Sequence, residues 1–266
     1  MRYIKIIKFF LLSILISNIS FAQQIELGLN AGGASYMGDL NQYNPVKITG
    51  LSAGAFVKVN FDPYWAVGLH YNYGKVKGAD SLSKFAQERD RNLSFYTPLN
   101  EVSLLLHFNF FDLFSPAAKK RLSPYLFAGV GILNYEPKTK YQGEEYLLRL
   151  YNTEGQTENY KKFTVTIPFG GGVKYRYTEH LTLFGQAGFR SPLTDYIDDV
   201  SGVYANRNSW PNGGLGPVLS DRSGEKTGVY LGDPGTQRGD FRKRDHYMFV
   251  GIGISYTFVS QKCFTF

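Results

Sequence analysis

Residues 51–74 read LSAGAFVKVNFDPYWAVGLHYNYG, and this stretch decides the fold. Leu51, Ala53, Ala55, Val57, Val59 and Phe61 share one face of an extended chain. Ser52, Gly54, Lys58 and Asn60 share the other, with Phe56 as the exception. After the turn signal Asp62-Pro63-Tyr64 the alternation restarts, with Trp65, Val67, Leu69, Tyr71 and Tyr73 against Ala66, Gly68, His70, Asn72 and Gly74. Side chains on a strand switch face at every residue, so each run has one apolar wall and one polar or small-residue wall. A transmembrane β-barrel needs that arrangement, in segments of roughly 10 residues.

The N-terminus says where such a barrel would reside. Arg2, Lys5 and Lys8 form a basic start, Phe9 to Ile19 is an apolar core, and Ser20-Phe21-Ala22 supplies small residues before Gln23. This is the pattern of a secretory signal peptide over residues 1–22. The apolar run is short for a bilayer-spanning helix. Gln23 in place of a cysteine excludes a lipoprotein anchor at the new terminus. Cleavage removes three of the 29 basic residues and none of the 22 acidic ones, so the charge falls from +7 to +4. The sequence pI of 9.2 therefore overstates how basic the mature chain is. Its one dense basic cluster is Arg238, Arg242, Lys243 and Arg244, better suited to a solvated loop or anionic lipid headgroups than to nucleic acid. A mean hydropathy of −0.23 fits a barrel, in which only every second strand residue meets lipid.

Eight strands follow from the alternation. They run over 25–33, the pair within 51–74, 101–110, 125–132, 167–177, 181–190 and 246–258. Long links follow the odd-numbered strands and shorter ones the even-numbered strands, the asymmetry of outer loops and periplasmic turns. A soluble barrel shares the period, but its apolar face is the interior. Here Gly129, Gly131, Gly170, Gly172, Gly251 and Gly253 lie opposite the bulky residues, as a narrow lumen requires. Aromatics near the strand ends, such as Trp65, Phe110, Tyr175 and Tyr256, suit interfacial girdles. The expected fold is all-β: an eight-stranded antiparallel transmembrane β-barrel of outer-membrane type over residues 23–266, with long extracellular loops and periplasmic termini.

A barrel of eight strands has just enough interior for its own side chains, so a wide pore is not expected. Glu26, Lys58, Glu101, Lys174, Arg176 and Arg190 would point inward and must pair or stay wet. A lumen salt-bridge network joined by His70 and His107 is the expectation; a proton or ion pathway is the sharper alternative. Function then sits in the loops, at the periplasmic side or in a partner.

Two loop segments stand out: Ser35-Tyr36-Met37-Gly38-Asp39-Leu40 after the first strand, and Asp195 to Tyr204, reading DYIDDVSGVY, in the longest link. With Arg238-Gly239-Asp240, Asp245-His246-Tyr247 and the Lys262-Cys263 tail, these segments occur in an order that resembles the PorG-like outer-membrane barrels of Bacteroidota. The resemblance spans nearly the whole mature chain, and its motif positions here are Tyr36, Gly38, Asp39, Asp195, Asp198, Asp199, Gly202, Arg238 and Asp240. The tail departs from the family pattern at Phe264, where a proline often stands. The resemblance implies a non-enzymatic barrel that anchors periplasmic ring or lipoprotein subunits of a type IX secretion apparatus, with no cofactor and no small-molecule substrate. The family also contains barrels never tied to secretion.

Other readings remain beside that one. Asp195, Asp198 and Asp199 are hard oxygen ligands and could hold calcium, although their spacing is not that of an EF-hand and loop aspartates commonly cap turns. Arg238-Gly239-Asp240 matches an adhesion tripeptide, so a surface-binding barrel acting through its loops is one alternative. A membrane-embedded hydrolase or acyltransferase with His246 as base is another. No serine motif accompanies that histidine, and Asp245 and His246 point to opposite faces of a strand. For docking to periplasmic partners the expected groups are Lys119, Lys120 and Arg121 in one turn and Cys263, Phe264 and Phe266 in the tail. The lone Cys263 is a free thiol, an intermolecular disulfide partner or a buried small residue.

Overall fold

The computed structural model describes residues 24–113, 120–210, 213–240 and 242–258. The expected signal peptide, Lys119 and the tail from residue 259, with Cys263, Phe264 and Phe266, lie outside them. Eight long strands form the wall: β1 (Gln24–Met37), β2 (Ile48–Asn60), β3 (Trp65–Ala79), β4 (Ser94–Asn109), β5 (Leu122–Tyr135), β8 (Phe163–Arg176), β9 (Leu181–Pro192) and β10 (His246–Phe258). A small hairpin, β6 (Lys138–Tyr141) and β7 (Glu144–Leu147), hangs from the top of β4 through Tyr96 and Lys138. Each wall strand pairs antiparallel with its neighbours, and β10 closes onto β1 from Ile25↔Phe258 to Met37↔His246. The chain is a closed eight-stranded antiparallel barrel of the outer-membrane type.

Two tight turns are made by single side chains. Asp62 Oδ1 accepts from the backbone N–H of Tyr64 (2.7 Å) and Trp65 (2.8 Å), and Thr178 Oγ1 accepts from that of Leu181 (3.0 Å). These turns, the 110–121 link and the ends of β1 and β10 share one rim. The long links 38–47, 80–93, 136–162 and 193–245 gather at the other.

Outside, the band is apolar: Leu51, Leu69, Leu104, Val130, Phe169 and Ile252 are all exposed, as lipid contact demands. Inside, the expected single ionic network is two. Near the short-turn rim, Lys58 Nζ lies 2.9 Å and Lys174 Nζ 3.8 Å from the Glu26 carboxylate. Farther up, Glu101 accepts from Tyr247 Oη (2.6 Å), Ser103 Oγ (3.1 Å) and Arg190 Nε (3.3 Å). His70 and His107 stack on each other with their Nε2 atoms 3.0 Å apart. Arg176 belongs to neither cluster; its guanidinium donates to the Leu113 carbonyl at the rim (2.6 Å). Phe56 and Phe184 pack across the lumen at 5.6 Å. A Cβ on Gly28 would fall 2.1 Å from the Phe56 ring and one on Gly253 2.3 Å from that of Phe184, which explains the inward glycines.

The strands run longer than the apolar alternation, for a physical reason. Above the lipid band the pattern inverts: Val76, Phe95, Leu99, Leu133 and Tyr135 face inward and are buried, while Lys75, Lys77, Tyr96 and Asn134 face out. Outside there the wall leaves the hydrocarbon for headgroups and then water, and the inside is an apolar core built with the long loops. That core joins Tyr36, Leu40, Leu93, Leu148, Ile197, Val200, Leu219 and Tyr247 to the upper strands. It caps the barrel.

A lysine at Ile252, the midpoint of β10, should cost about 2–4 kcal/mol of folding free energy in vesicles. Urea titration of Ile252→Lys should show this, with Asn44→Lys in the first loop leaving the midpoint unchanged.

Candidate functional site: a buried carboxyl cluster under the cap

The long loops are held down by side chains from distant parts of the chain. Tyr36, at the end of β1, is fully buried and donates its hydroxyl to Asp198 Oδ2 and, at 3.3 Å, to Asp245 Oδ1. Asp198 Oδ1 accepts from the Val200 N–H (2.9 Å), and Asp245 Oδ2 from the Ile197 N–H (2.9 Å). Asp39 Oδ1 accepts from the Asp240 N–H. Asp39, Asp198 and Asp245 thus meet with ligand oxygens within 4.8 Å of one another, all buried. The backbone at Gly38 passes so close that a Cβ there would lie 2.0 Å from Asp245 Oδ1 and 2.1 Å from the Tyr36 hydroxyl.

A second knot lies beside the first. Arg238, only 2% exposed, donates to Glu154 Oε1 (3.0 Å), the Asp199 carbonyl (2.6 Å) and the Ser220 carbonyl (3.1 Å). Asp199 adopts a left-handed backbone (φ 70°), and its carboxylate accepts from Thr153 and Tyr160 hydroxyls. Glu154 also takes the N–H groups of Ser201 (2.8 Å) and Gly202 (3.0 Å), and Asp195 takes the Ser201 hydroxyl (2.9 Å). Tyr160 stacks on Tyr196 with centroids 4.5 Å apart. Arg91 grips Asp80 with two bonds of 2.7 Å and reaches the Asp39 carbonyl (3.2 Å).

The sequence-selected residues Tyr36, Gly38, Asp39, Asp195, Asp198, Asp199, Gly202, Arg238 and Asp240 all fall in these two knots. The calcium trio is redrawn, however. Asp195, Asp198 and Asp199 do not converge, because the chain bends through 197–199, with Asp199 left-handed, and sends the three side chains to different partners. Asp198 instead joins Asp39 and Asp245, a grouping that spacing along the chain cannot show. Asp198 and Asp245 already accept N–H and O–H donors from Val200, Ile197 and Tyr36. Arg238-Gly239-Asp240 is likewise not a displayed tripeptide: its arginine is interior, and Asp240 binds Arg242 (3.2 Å). Asp245 bonds into the cap, to Tyr36 and Ile197, so it does not orient His246.

Burial raises five of these carboxyls, Asp39, Asp195, Asp198, Asp199 and Asp245. Asp39 is pushed up to about 7 by desolvation, with Asp240 and Asp195 adding like charge against Arg91. Burial lifts Asp195 to about 6, and Asp199 to about 6 against the opposing pull of Arg238. Asp198 and Asp245 rise well above the ordinary range, first by burial and then by their acidic neighbours.

These geometries can be set beside known proteins. A family model described as "Domain of unknown function (DUF6089)" matches residues 5–222. The chain belongs to the DUF6089 family. No curated protein matches it significantly. Among solved structures, this DUF6089 chain is similar to Ail, the attachment invasion locus protein of Yersinia pestis. The identity is 8% and the TM-score 0.43, with 90% of this chain and 100% of that one covered. It is also similar to the outer membrane protein OprG of Pseudomonas aeruginosa, with 12% identity, TM-score 0.40 and coverage of 90% and 97%. The N-terminal barrel domain of OprF from Pseudomonas aeruginosa gives 14%, 0.36, 88% and 97%. At these values no functional argument passes from them to the DUF6089 chain; the strand pairing itself establishes the barrel.

Two outcomes follow for the cluster. A raised carboxyl keeps its proton in the folded state after the unfolded chain has lost its own, so stability falls as pH rises from about 4 toward about 7. The slope reaches about 1.4 kcal/mol per pH unit for each such proton. Protection factors of residues 194–202, taken relative to the intrinsic base-catalysed exchange rate at each pH, should therefore be higher at pH 5 than at pH 8, and Asp198→Asn should flatten the difference. Gly38→Ala should cost about 1–3 kcal/mol and loosen the same segment, since the methyl group must displace Asp245 or Tyr36.

Proposed function

We propose that this chain is a non-catalytic barrel of the outer membrane that anchors periplasmic ring or lipoprotein subunits of a type IX protein secretion apparatus. The supporting observation is that the barrel is filled and capped. Two ionic clusters and the Phe56–Phe184 pair occupy the lumen, and an apolar core covers its mouth. Passage through such a barrel would require breaking buried charge pairs. The residues that carry the resemblance to secretion barrels hold the cap down, which leaves the opposite rim for partners. The N-terminal signal and the periplasmic placement of both termini belong to this same reading.

The short-turn rim suits that task. Lys120 and Arg121 are exposed there, with the Lys120 ammonium 3.3 Å over the Phe111 ring. The chain leaves β10 at Phe258, paired with Ile25 at this same rim, across the ring from the β4–β5 link that carries the basic turn. A compact positive group on one side of this rim, and a tail sequence with Phe264 and Phe266 following β10 on the other, would suit a partner that spans the rim with an acidic surface and an apolar pocket.

A surface-binding role through the outer loops is the second reading, and one feature favours it. A cleft of about 560 Å³ opens in the cap between Gln42, Gln87, Glu88, Tyr204 and Gln237. Gln87→Ala with Gln237→Ala separates the two: secretion persists if the barrel is an anchor, and surface binding is lost if the cleft is the working site.

The anchor reading is tested by reversing Lys119, Lys120 and Arg121 to Glu and, separately, truncating after Ser260. Both variants should insert, migrate as heat-modifiable barrels and lose co-purifying periplasmic subunits. Normal insertion with all partners retained by both variants would sink the proposal.

A further inference from the structure

The two rims of the barrel end in different chemistry. At the short-turn rim the outward stripes finish in aromatics: Phe61 after β2, Trp65 on β3, Phe110 after β4, Tyr175 on β8 and Tyr177 after it, Tyr256 and Phe258 on β10. At the cap rim the wall strands end in exposed cations. On β3 the outward positions run Leu69, Tyr71, Tyr73, Lys75, Lys77. Lys47 lies just before β2, Lys161 just before β8 and Arg244 just before β10.

Lys47, Lys77, Lys161 and Arg244 are exposed, and among the described residues none has an ion-pair partner. Lys75 lies with its ammonium 4.0 Å over the Tyr96 ring, pointing along the wall rather than into the cap. The strands that carry these groups, β2, β3, β8 and β10, are spread around the ring. Beside β4 and β5, Glu136 faces Arg149 at 3.5 Å, and Glu145 lies in the field of Lys75, Lys138 and Lys140. The collar is thus a ring of uncompensated positive charge seated at the edge of an apolar band.

We infer that this collar binds phosphate groups of an anionic lipid in the leaflet on the cap side, and so fixes both the depth and the orientation of the barrel. The inference rests on the membrane-barrel reading. An exposed cation at the end of a wall strand sits at headgroup depth, where long side chains reach out along the surface. Each one near an anionic surface is worth about a fivefold gain in partitioning, and the gain is screened by salt. Aromatic rims need no such charge and fit either leaflet. The asymmetry is therefore a preference for one leaflet.

The test uses the mature chain refolded into phosphatidylcholine vesicles and then transferred to a mild detergent with bisphosphorylated lipid A. One variant carries Lys47→Gln, Lys77→Gln, Lys161→Gln and Arg244→Gln; a control carries Lys120→Gln and Arg121→Gln at the other rim. Lipid retained by the purified barrel is read by native mass spectrometry. The wild-type chain and the control should retain the phosphorylated lipid, the collar variant should retain it more than about a hundredfold less well, and high salt should release it. Dephosphorylated lipid A should not be retained, and millimolar inorganic phosphate should not displace the lipid. Equal retention by collar variant and wild type, equal retention of dephosphorylated lipid, or full displacement by free phosphate each overturns the inference. Failure of the wild-type chain to enter phosphatidylcholine vesicles overturns the barrel reading itself, and the collar with it; normal entry with no phosphate preference overturns the collar alone.

Discussion

The pairing of β10 with β1 is the interaction on which the rest depends. Hydrocarbon offers no partner for a free N–H or C=O, so a sheet in a bilayer has to close on itself. Here the closure runs in unbroken register from Ile25↔Phe258 to Met37↔His246. Closing eight strands leaves a lumen only as wide as its own side chains. Everything inward must then fit that width, which is why Gly28 and Gly253 lie against the rings of Phe56 and Phe184. The same narrowness brings Lys58 and Lys174 to Glu26, and Arg190 and Tyr247 to Glu101, since charges this deeply buried persist only when paired.

Closure also carries the wall past the lipid, and there the solvent changes on both sides. In the band, apolar residues face out and small or polar ones face in. In the cap zone, headgroups and then water are outside and the loops fill the inside, so the alternation inverts. One continuous strand can serve both environments because strand geometry fixes only which face a residue takes. β4 shows the switch within a single element: Phe95, Thr97 and Leu99 point in among the cap residues, then Val102, Leu104 and Leu106 point out toward lipid.

That inversion explains what the sequence made legible. The alternation around Leu51–Gly74 was enough for the barrel, its strand count and the placement of its long links, because the lipid band imposes one polarity on every strand. Strand ends above the band were missed because their inverted pattern reads as ordinary loop. The β6–β7 hairpin was missed too, since four-residue strands with charged outer positions carry little periodic signal. At the site, the motif residues were visible as a set, but their arrangement was not. Asp39, Asp198 and Asp245 come from three separate loops and strand ends, and only the closed ladder brings them together. Chain distance groups Asp198 with Asp195 and Asp199, but the bends at 197–199 turn these side chains apart.

The cap and the lumen are a single energetic unit, joined at Tyr247. Its ring belongs to the apolar core of the cap and packs edge-on against Phe249 at 5.4 Å, while its hydroxyl reaches down to Glu101. Glu101 holds Arg190, whose guanidinium lies 4.6 Å from the Phe249 ring centroid. Removing the Tyr247 hydroxyl would strip a donor from a buried carboxylate that Arg190 also needs. A hydrogen bond to a charged group of this kind is worth about 1.5–3 kcal/mol. On the other side of Tyr247 in sequence, two residues away, Asp245 anchors the loop through Tyr36 and Ile197. The start of β10 thus ties the carboxyl cluster above to the ionic cluster below, and a barrel built this way resists opening from either end.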